Sequence, residues 1–383
     1  MFIASALTVF VIGALALEAI SVRRSARAIA VRVHVNGTRG KSTVVSYIAA
    51  ALRASGRRTF AKITGTRPAL LLPSGGSEII RRRGPARVQE QFSTVRRAAR
   101  AGAECLVLEC MSIDPELQRL ESRFFDPDIC VITNIRDDHA EAMGRTAEER
   151  AEAILSAIPR DCVVVAGPCA FAERLAAAAQ RKGSRVVFAG GAADRRIGPL
   201  PDGVFEENVA IACAAAEAAG VDFDTALRGI LDFAAANAAR PLEIGGAGRV
   251  IRFIDGFAVN DVESAARFVE YWRGRLAYHG EAAILLNTRS DRPMRTLSFA
   301  KWLAAARGVS RVIVTGTHAS AAKRALLKEG VSAENVLLWN GAQARRAGTL
   351  LPAACGHAGV VFGLGNIAGA GFAITKVLNH ELH

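Results

Sequence analysis

The sequence has few cysteines, and their spacing matches no known framework. Seven cysteines are scattered over 383 residues, without a CxxC pair or the spacing of a zinc site. An odd number of isolated cysteines in a chain of this length is typical of buried, reduced thiols in a cytosolic protein. The pattern argues against a secreted fold built on disulfides.

Aromatic residues are also scarce, at 6% of the chain, although 51% of it is hydrophobic. Surfaces that bind single-stranded nucleic acid need aromatic rings on which bases stack, and here arginines are rarely interleaved with aromatics. Helix-turn-helix, RNP and zinc-finger signatures are missing as well. The formal net charge of +13 suits nucleic acid, anionic lipid or an acidic substrate. Of these three partners, we expect no nucleic acid.

Charge is absent from residues 2–17, which read FIASALTVFVIGALAL. A helix needs about twenty apolar residues to span a bilayer, so residues 1–22 are predicted to form an N-terminal membrane helix. A cleaved signal peptide would carry positive charge before the apolar segment, but here Arg23, Arg24 and Arg27 follow it. That order predicts a single-pass protein of the cell membrane with a cytoplasmic catalytic part. A buried helix of a soluble protein is the alternative.

Strand-like apolar runs alternate with alanine-rich helical stretches after this segment. The alternation predicts an α/β fold with a mainly parallel sheet and helices on both faces. Proline and glycine are dense in RPLEIGGAGR, at 240–249, which indicates a boundary. We therefore expect a central domain over 23–240 and a smaller, Rossmann-like α/β domain over 241–383.

A phosphate-binding loop is predicted between the first strand and its helix. The β-branched run VHV, at 33–35, leads into NGTRGKST and then into a helical apolar pattern. Strand, glycine turn, Lys-Ser/Thr and helix is the order of a P-loop, although the longer Walker form would need glycine at Val35. Lys41 would offset β- and γ-phosphate charge, and Ser42 would reach Mg²⁺. The predicted ATP contacts are Gly37, Thr38, Arg39, Gly40, Lys41, Ser42 and Thr43.

This compact loop resembles that of the Mur ligase superfamily, whose members join a carboxylate to an amine using ATP. The resemblance implies an ATP-binding central domain, with Glu109 in LVLECMS and His139 in TNIRDDHAEAMG as Mg²⁺ ligands beside Ser42. It gives Lys41, Glu109 and His139 catalytic roles. It also implies nucleotide contacts at Asn208, Arg240 and Asp255. Each residue alone has a plainer interpretation, such as a helix cap at Asn208.

The sequence departs from the superfamily pattern in three places. The carbamylated lysine that many members carry beyond the metal histidine is missing from EERAEAILSAI, where Glu148, Glu149 or Glu152 would have to assist a second metal. The Tyr-Ala-His-Asn-Pro stretch near the nucleotide becomes FAVND, at 257–261. The loop also begins within forty residues of the chain start, which leaves no room for an amino-terminal nucleotide-sugar domain.

These features together resemble one branch, the ligase subunit of poly-γ-glutamate synthase, or PgsB/CapB family. The matching segments are the apolar start, VHVNGTRGKS, FAKITGTRP, FIDGFAVND, NTRSDRPMRT and GLGNIAGAG. Membership implies that glutamate is added through its side-chain carboxylate to a growing, acidic polyglutamate chain. It also implies membrane partner subunits, and it is compatible with a homo-oligomer.

The chemistry expected from this resemblance is activation of a carboxylate as an acyl phosphate, followed by attack of an amine. Arginine forks suit carboxylates, so Arg289, Arg292 and Arg295 are candidate contacts to the acidic substrate, with structural ion pairs as the alternative. Two other functions stay open. One is a folylpolyglutamate synthase-like ligase, and the other is a membrane-bound P-loop ATPase acting on nucleic acid.

Overall fold

The computed structural model describes residues 2–65, 68–82, 84, 86–136, 143–144, 146–190, 196–200, 204–237, 240–259 and 261–380. The chain divides into two compact units, Met1–Asn237 and Ala238–His383. We call them unit 1 and unit 2 and describe each by itself.

Unit 1 alternates helices and strands along most of its length. Its helices are α1 (Phe2–Arg27), α2 (Lys41–Ala54), α3 (Gln89–Arg100), α4 (Pro115–Phe125), α5 (Ala147–Ser156), α6 (Ala172–Gln180), α7 (Glu206–Ala218) and α8 (Phe223–Ala236). Its strands are β1 (Val31–Asn36), β2 (Thr59–Ile63), β3 (Ala69–Leu71), β4 (Ser77–Ile79), β5 (Cys105–Glu109), β6 (Ile129–Ile132), β7 (Val163–Ala166) and β8 (Arg185–Phe188).

The strands of unit 1 form one eight-stranded sheet in the order β4-β3-β2-β5-β1-β6-β7-β8. Only β3 and β4 run antiparallel to their neighbours, and the other pairs are parallel. β1 lies between β5 and β6, so the residues that follow these three strands emerge together at the carboxyl edge. The predicted mainly parallel α/β fold is confirmed.

Helices cover both faces of this sheet because successive strand side chains point to opposite sides. Val33, Val35 and Val107 pack with α2, α7 and α8 on one face, which we call the front face. Leu106 and Leu108 pack with α1, α3 and α4 on the other, the back face. Both faces of the central strands are therefore buried, which explains why their sequences are continuously apolar.

The N-terminal segment forms one helix, but the predicted membrane span is not supported. Among the residues that the structure describes, no helix is both long enough and apolar enough to cross a membrane. The apolar run ends at Glu18, whose carboxylate lies 3.3 Å from Arg96 of α3. Val22 and Ala26, one and two turns further on, are buried in the back-face core. The second half of α1 thus packs against α3 and the back face of the unit 1 sheet.

Unit 2 is a second, smaller α/β structure. Its helices are α9 (Val262–Arg275), α10 (Pro293–Ala305), α11 (Ala319–Lys328), α12 (Gly341–Ala344), α13 (Ala347–Ala354) and α14 (Ala370–His380). Its strands are β9 (Leu242–Gly246), β10 (Arg249–Asp255), β11 (Ala282–Thr288), β12 (Val309–Gly316), β13 (Val336–Leu338) and β14 (Val360–Leu364). They form a sheet in the order β13-β12-β11-β14-β10-β9, with only β9 antiparallel. Two hydrophobic clusters cover its two faces.

Candidate nucleotide and metal site

The glycine-rich loop connects β1 to α2 at the carboxyl edge of the unit 1 sheet. β1 ends at Asn36, and α2 begins at Lys41 directly after Gly40. Gly40 is left-handed, with φ +76°, and no side chain of the described residues caps the amino end of α2. The first N–H groups of the helix, together with its dipole, therefore offer a place for an anion such as phosphate.

Two glycines are required by the space around the loop. A Cβ on Gly37, which has φ +124°, would lie 2.2 Å from the hydroxyl oxygen of Thr133. A Cβ on Gly40 would lie 2.9 Å from the side-chain oxygen of Asn208. Both positions have a positive φ, which favours glycine, and at Gly37 backbone atoms of Thr133 and Asn134 would also lie 3.0 Å from the Cβ. The second contact also places Asn208, at the start of α7, directly against the loop.

The segment after β6 holds the loop in shape. The Thr38 hydroxyl donates to the Asn134 side-chain oxygen (2.8 Å), and the N–H of Arg39 donates to the same atom (3.1 Å). The Thr133 hydroxyl donates to the Arg39 carbonyl (2.6 Å). The Arg136 N–H donates to the Thr38 hydroxyl (2.8 Å). These bonds preorganise the loop, since each would otherwise have to form when a ligand binds.

Lys41 folds back over the loop from the first position of α2. Its ammonium group donates to the Gly37 carbonyl (2.7 Å). The positive charge therefore lies inside the curve of the loop, where it would meet the phosphates of a bound nucleotide.

Glu109 and Ser42 are brought together beside the loop. Glu109 is the last residue of β5 and is 4% exposed. One of its carboxylate oxygens accepts hydrogen bonds from the Ser42 hydroxyl (2.8 Å) and from the Thr64 N–H (2.7 Å). β5 and β1 are parallel neighbours, so their carboxyl ends place the two side chains at one point.

The donor atoms at this point fit a hard divalent cation. A carboxylate and a hydroxyl are the oxygen ligands that Mg²⁺ takes in nucleotide sites, with water and phosphate completing the octahedron. Ser42 and Glu109 would hold such an ion next to the phosphates. His139, the third predicted ligand, lies outside the described residues, so its part in the site stays a prediction.

The remaining predicted nucleotide contacts lie in unit 2. Asp255 ends β10, and its carboxylate accepts hydrogen bonds from the Phe257 N–H (3.0 Å) and the Thr375 hydroxyl (2.7 Å). Arg240 is exposed at the start of the unit. Their roles toward a nucleotide also stay predictions.

The three arginines predicted to bind substrate line one open surface depression in unit 2. It lies at the carboxyl ends of β11 and β14, and its polar lining includes Asn287, Thr288, Arg289, Arg292, Arg295 and Asn366. The Arg289 guanidinium is paired with Asp291 at 2.6 and 2.8 Å. Asn287 is buried, and its side-chain oxygen has no hydrogen-bond partner among the described residues. Arginine side chains and the Asn287 side-chain oxygen, a hydrogen-bond acceptor, therefore line the same depression.

Comparison with protein families matches both units. The model for the Mur ligase middle domain matches residues 35–230, and the model for the C-terminal domain of poly-γ-glutamate synthase CapB matches residues 242–381. The chain belongs to the Mur ligase superfamily, in its CapB family. This membership places the chain among ATP-dependent amide-forming ligases.

Two curated relatives carry the CapB name. The capsule biosynthesis protein CapB of Bacillus anthracis is 33% identical over 288 residues, which are 71% of this chain and 60% of that protein. The PGA synthase CapB of Bacillus subtilis (strain 168) is 29% identical over 353 residues, which are 90% of this chain and 88% of that protein. The chain thus spans about three fifths of the first relative and most of the second.

Solved structures of Mur ligase and FolC proteins share the fold. Escherichia coli FolC in complex with DHPP and ADP has a TM-score of 0.68 at 17% identity, covering 96% of this chain and 92% of that one. The folylpolyglutamate synthase/dihydrofolate synthase of Yersinia pestis has 0.66 at 18% identity, covering 94% and 93%. MurF of Acinetobacter baumannii has 0.64 at 17% identity, covering 96% and 79%. At these identities the likeness establishes the α/β fold.

Several contacts of this CapB family member were not predicted from the sequence. Thr64 donates to Glu109 through its backbone N–H, so its residue type does not predict the contact. The Thr133 hydroxyl holds the loop by donating to the Arg39 carbonyl. In the sequence, this role was indicated only by the position of Thr133 just after a strand and beside Asn134.

Proposed function

We propose that this CapB family ligase uses ATP with Mg²⁺ to add glutamate to a growing poly-γ-glutamate chain, releasing ADP and phosphate. The observation that carries the proposal is the pairing of Ser42 and Glu109 beside the glycine loop. A carboxylate is unreactive toward an amine at neutral pH, so its activation by ATP requires a charge-stabilised phosphate site. The geometry around the loop supports such a site.

The reaction proceeds in two balanced steps. A side-chain carboxylate oxygen attacks the γ-phosphorus, the bond to the β–γ bridging oxygen breaks, and ADP leaves. The amine nitrogen of the incoming amino acid then attacks the acyl carbon, phosphate leaves with the acyl C–O electrons, and the nitrogen loses a proton. Lys41 offsets negative charge that builds up on the transferred phosphoryl group. Bound Mg²⁺ supplies further charge compensation.

The substrate proposal draws on the relatives and on the unit 2 depression. The B. subtilis relative is named a PGA synthase. Arg292 and Arg295 beside the depression suit carboxylates, while the side-chain oxygen of Asn287 suits an ammonium or amide N–H. Both kinds of group would contact the acidic acceptor chain, whose units carry carboxylates and amide N–H groups.

Location and partners extend this proposal. We propose association with the cell membrane, a cytoplasmic catalytic part and further membrane subunits, as the resemblance to the synthase implies. Fractionation of cells that express the full chain, with and without residues 2–17, measures the first of these. Recovery of the full chain in the membrane-free fraction would contradict it.

The first experiment is ATP turnover by the purified chain with Mg²⁺, glutamate and short γ-linked glutamate oligomers. We expect ADP and phosphate only when the oligomers are present, and loss of turnover in Lys41→Ala but not in Lys328→Ala, whose residue is exposed on α11 in unit 2. Release of AMP would contradict the acyl-phosphate route.

Two further additions separate the alternatives. Turnover that depends on a folate acceptor instead of the oligomers would favour a folylpolyglutamate synthase-like ligase. Salt-sensitive stimulation by DNA would favour a nucleic-acid ATPase.

A further inference from the structure

A set of buried polar side chains lies on the back face of the unit 1 sheet, directly behind the candidate site. We call Lys62, Gln91, Gln118 and Glu121 the back-face network. Each is 4% exposed or less. His34, Lys62 and Leu108 are register partners on adjacent strands, so their side chains share this face, while Glu109 points to the front face.

Glu121 of α4 binds the turn that follows Glu109. One carboxylate oxygen accepts from the Ser112 N–H (3.0 Å) and from the Ser112 hydroxyl. The other accepts from the Met111 N–H (3.2 Å) and the Gln91 amide (3.0 Å). A carboxylate has about four lone-pair sites, so all of them are in use. The carboxylate therefore holds the main chain of this turn through two N–H groups, at Met111 and Ser112.

The charge of this buried carboxylate is maintained by its neighbours. Burial alone would raise the pKa of Glu121, but His34, Ser112 and Gln91 outweigh burial and lower the pKa. The network therefore presents an ionised acceptor to the two N–H groups, which makes these bonds stronger than neutral ones.

Gln91 ties the same turn to a buried lysine. Its amide nitrogen donates to the Glu109 carbonyl (2.8 Å), and its oxygen accepts from Lys62 (2.8 Å). Lys62 is fully buried and also pairs with Glu90 at 2.8 Å. The Gln91 amide, on the back face, therefore holds the main chain of Glu109, whose side chain faces the candidate metal position.

Gln118, one turn before Glu121 on α4, reaches the glycine loop. Its oxygen accepts from the Asn36 amide (2.9 Å), and its nitrogen donates to the Ile113 carbonyl (3.1 Å). The Asn36 side-chain oxygen in turn accepts from the Gly37 N–H (2.7 Å). One helix face thus connects the first residue of the loop to the turn after Glu109.

We propose that Gln118 and Glu121 are positioning residues that hold the glycine loop and Glu109 in register for binding a Mg²⁺–nucleotide complex. The inference rests on the proposed function. Neither side chain faces the ligand position, because both act from the back face. A displacement of about 1 Å between the two strand ends would separate the Ser42 and Glu109 oxygens from a common ion.

The test compares Glu121→Gln with Glu116→Gln. Glu116 lies on the same helix, loses the same charge and is 85% exposed. An amide at position 121 presents N–H groups to donors, so at least one buried N–H of the turn loses its acceptor. In the ligand-free protein we expect amide hydrogen exchange at Met111 and Ser112 to accelerate about tenfold in Glu121→Gln and to stay at the parent rate in Glu116→Gln.

Binding provides the second readout. We expect the Mg²⁺ concentration for half-maximal ADP binding to rise about tenfold in Glu121→Gln, as the loss of one charged hydrogen bond predicts. Gln118→Leu removes the contact to Asn36, so we expect weaker ADP binding even without Mg²⁺ and faster exchange at Gly37. If Glu121→Gln does not fold, Gln118→Leu still tests the positioning role.

The outcomes separate the two proposals. Parent-like exchange and binding in folded variants would overturn the positioning role. Failure of the parent to bind Mg²⁺ and ADP would overturn the proposed function instead, and hydrogen exchange would still show whether Glu121 holds the turn.

Discussion

Acid stability offers a test of the buried charges around Glu90, using Glu90→Gln. The carboxylate of Glu90 lies 2.8 Å from the Lys62 ammonium and accepts two hydrogen bonds from Arg82, at 2.7 and 2.8 Å. Burial raises the pKa of Glu90, but the hydrogen bonds from Arg82 and Lys62 outweigh burial and lower the pKa from 4.5 to about 2. The folded state therefore binds the proton less tightly than the unfolded state does.

The sign and size of the effect follow from this difference. A lowered folded pKa stabilises the protein fully above about pH 4.5, and the contribution is lost as the pH falls toward about 2. The difference of 4.5 − 2 = 2.5 pKa units, at 1.36 kcal/mol each, sets a ceiling of about 3 kcal/mol. Burial also lowers the pKa of Lys62, and solvent screens the partly exposed carboxylate. We therefore expect roughly 1 to 2 kcal/mol.

The measurement is urea unfolding at a series of pH values from neutral to about 2.5, followed by far-UV circular dichroism. The parent should lose more stability than Glu90→Gln between about pH 4.5 and 2. Glu116→Gln, with an exposed carboxylate, should follow the parent. All three tryptophans, Trp272, Trp302 and Trp339, belong to unit 2, so their fluorescence serves as an internal control. Parallel acid profiles for the parent and Glu90→Gln would contradict a lowered pKa at Glu90.

Three further substitutions test the site. Gly37→Ala should lower the free energy of unfolding by about 2 kcal/mol or more and weaken ADP binding, because its positive φ is combined with a clash at Thr133. Gly56→Ala, with φ +84° and open space, is the control that shows the backbone strain alone. Equal losses of stability in thermal unfolding would contradict the clash. Glu109→Gln keeps an acceptor for Ser42 but removes the charge, so the Mg²⁺ requirement of ATP turnover should rise about tenfold or more; an unchanged requirement would argue against a metal ligand. Arg289→Ala should raise the KM for glutamate oligomers about tenfold and leave the KM for ATP near the parent value. Arg267→Ala, which removes an exposed arginine on α9, is the control. Equal changes in both KM values would rule out acceptor binding by Arg289.

The fold class follows from the sequence alone, because the signals behind it are local. Continuous apolar strands alternating with helical stretches require a sheet buried on both faces, and the structure has two such mainly parallel sheets. The glycine loop was equally legible, since positive φ at Gly37 and Gly40 needs glycine whatever the surroundings. The family resemblance added Glu109, which lies beside Ser42. His139 and the unit 2 contacts to nucleotide remain predictions.

Tertiary structure decided what depends on contacts between distant segments. Thr64 reaches Glu109 through a backbone N–H, and Gln118 and Glu121 act across the sheet from α4, so no spacing in the sequence announces them. For the apolar start, the sequence could not show that Glu18 pairs with Arg96, or that Val22 and Ala26 are buried in the back-face core, because these contacts depend on distant segments. Local sequence sets which secondary structure each segment can form, while packing against distant segments sets which side chains reach the candidate site.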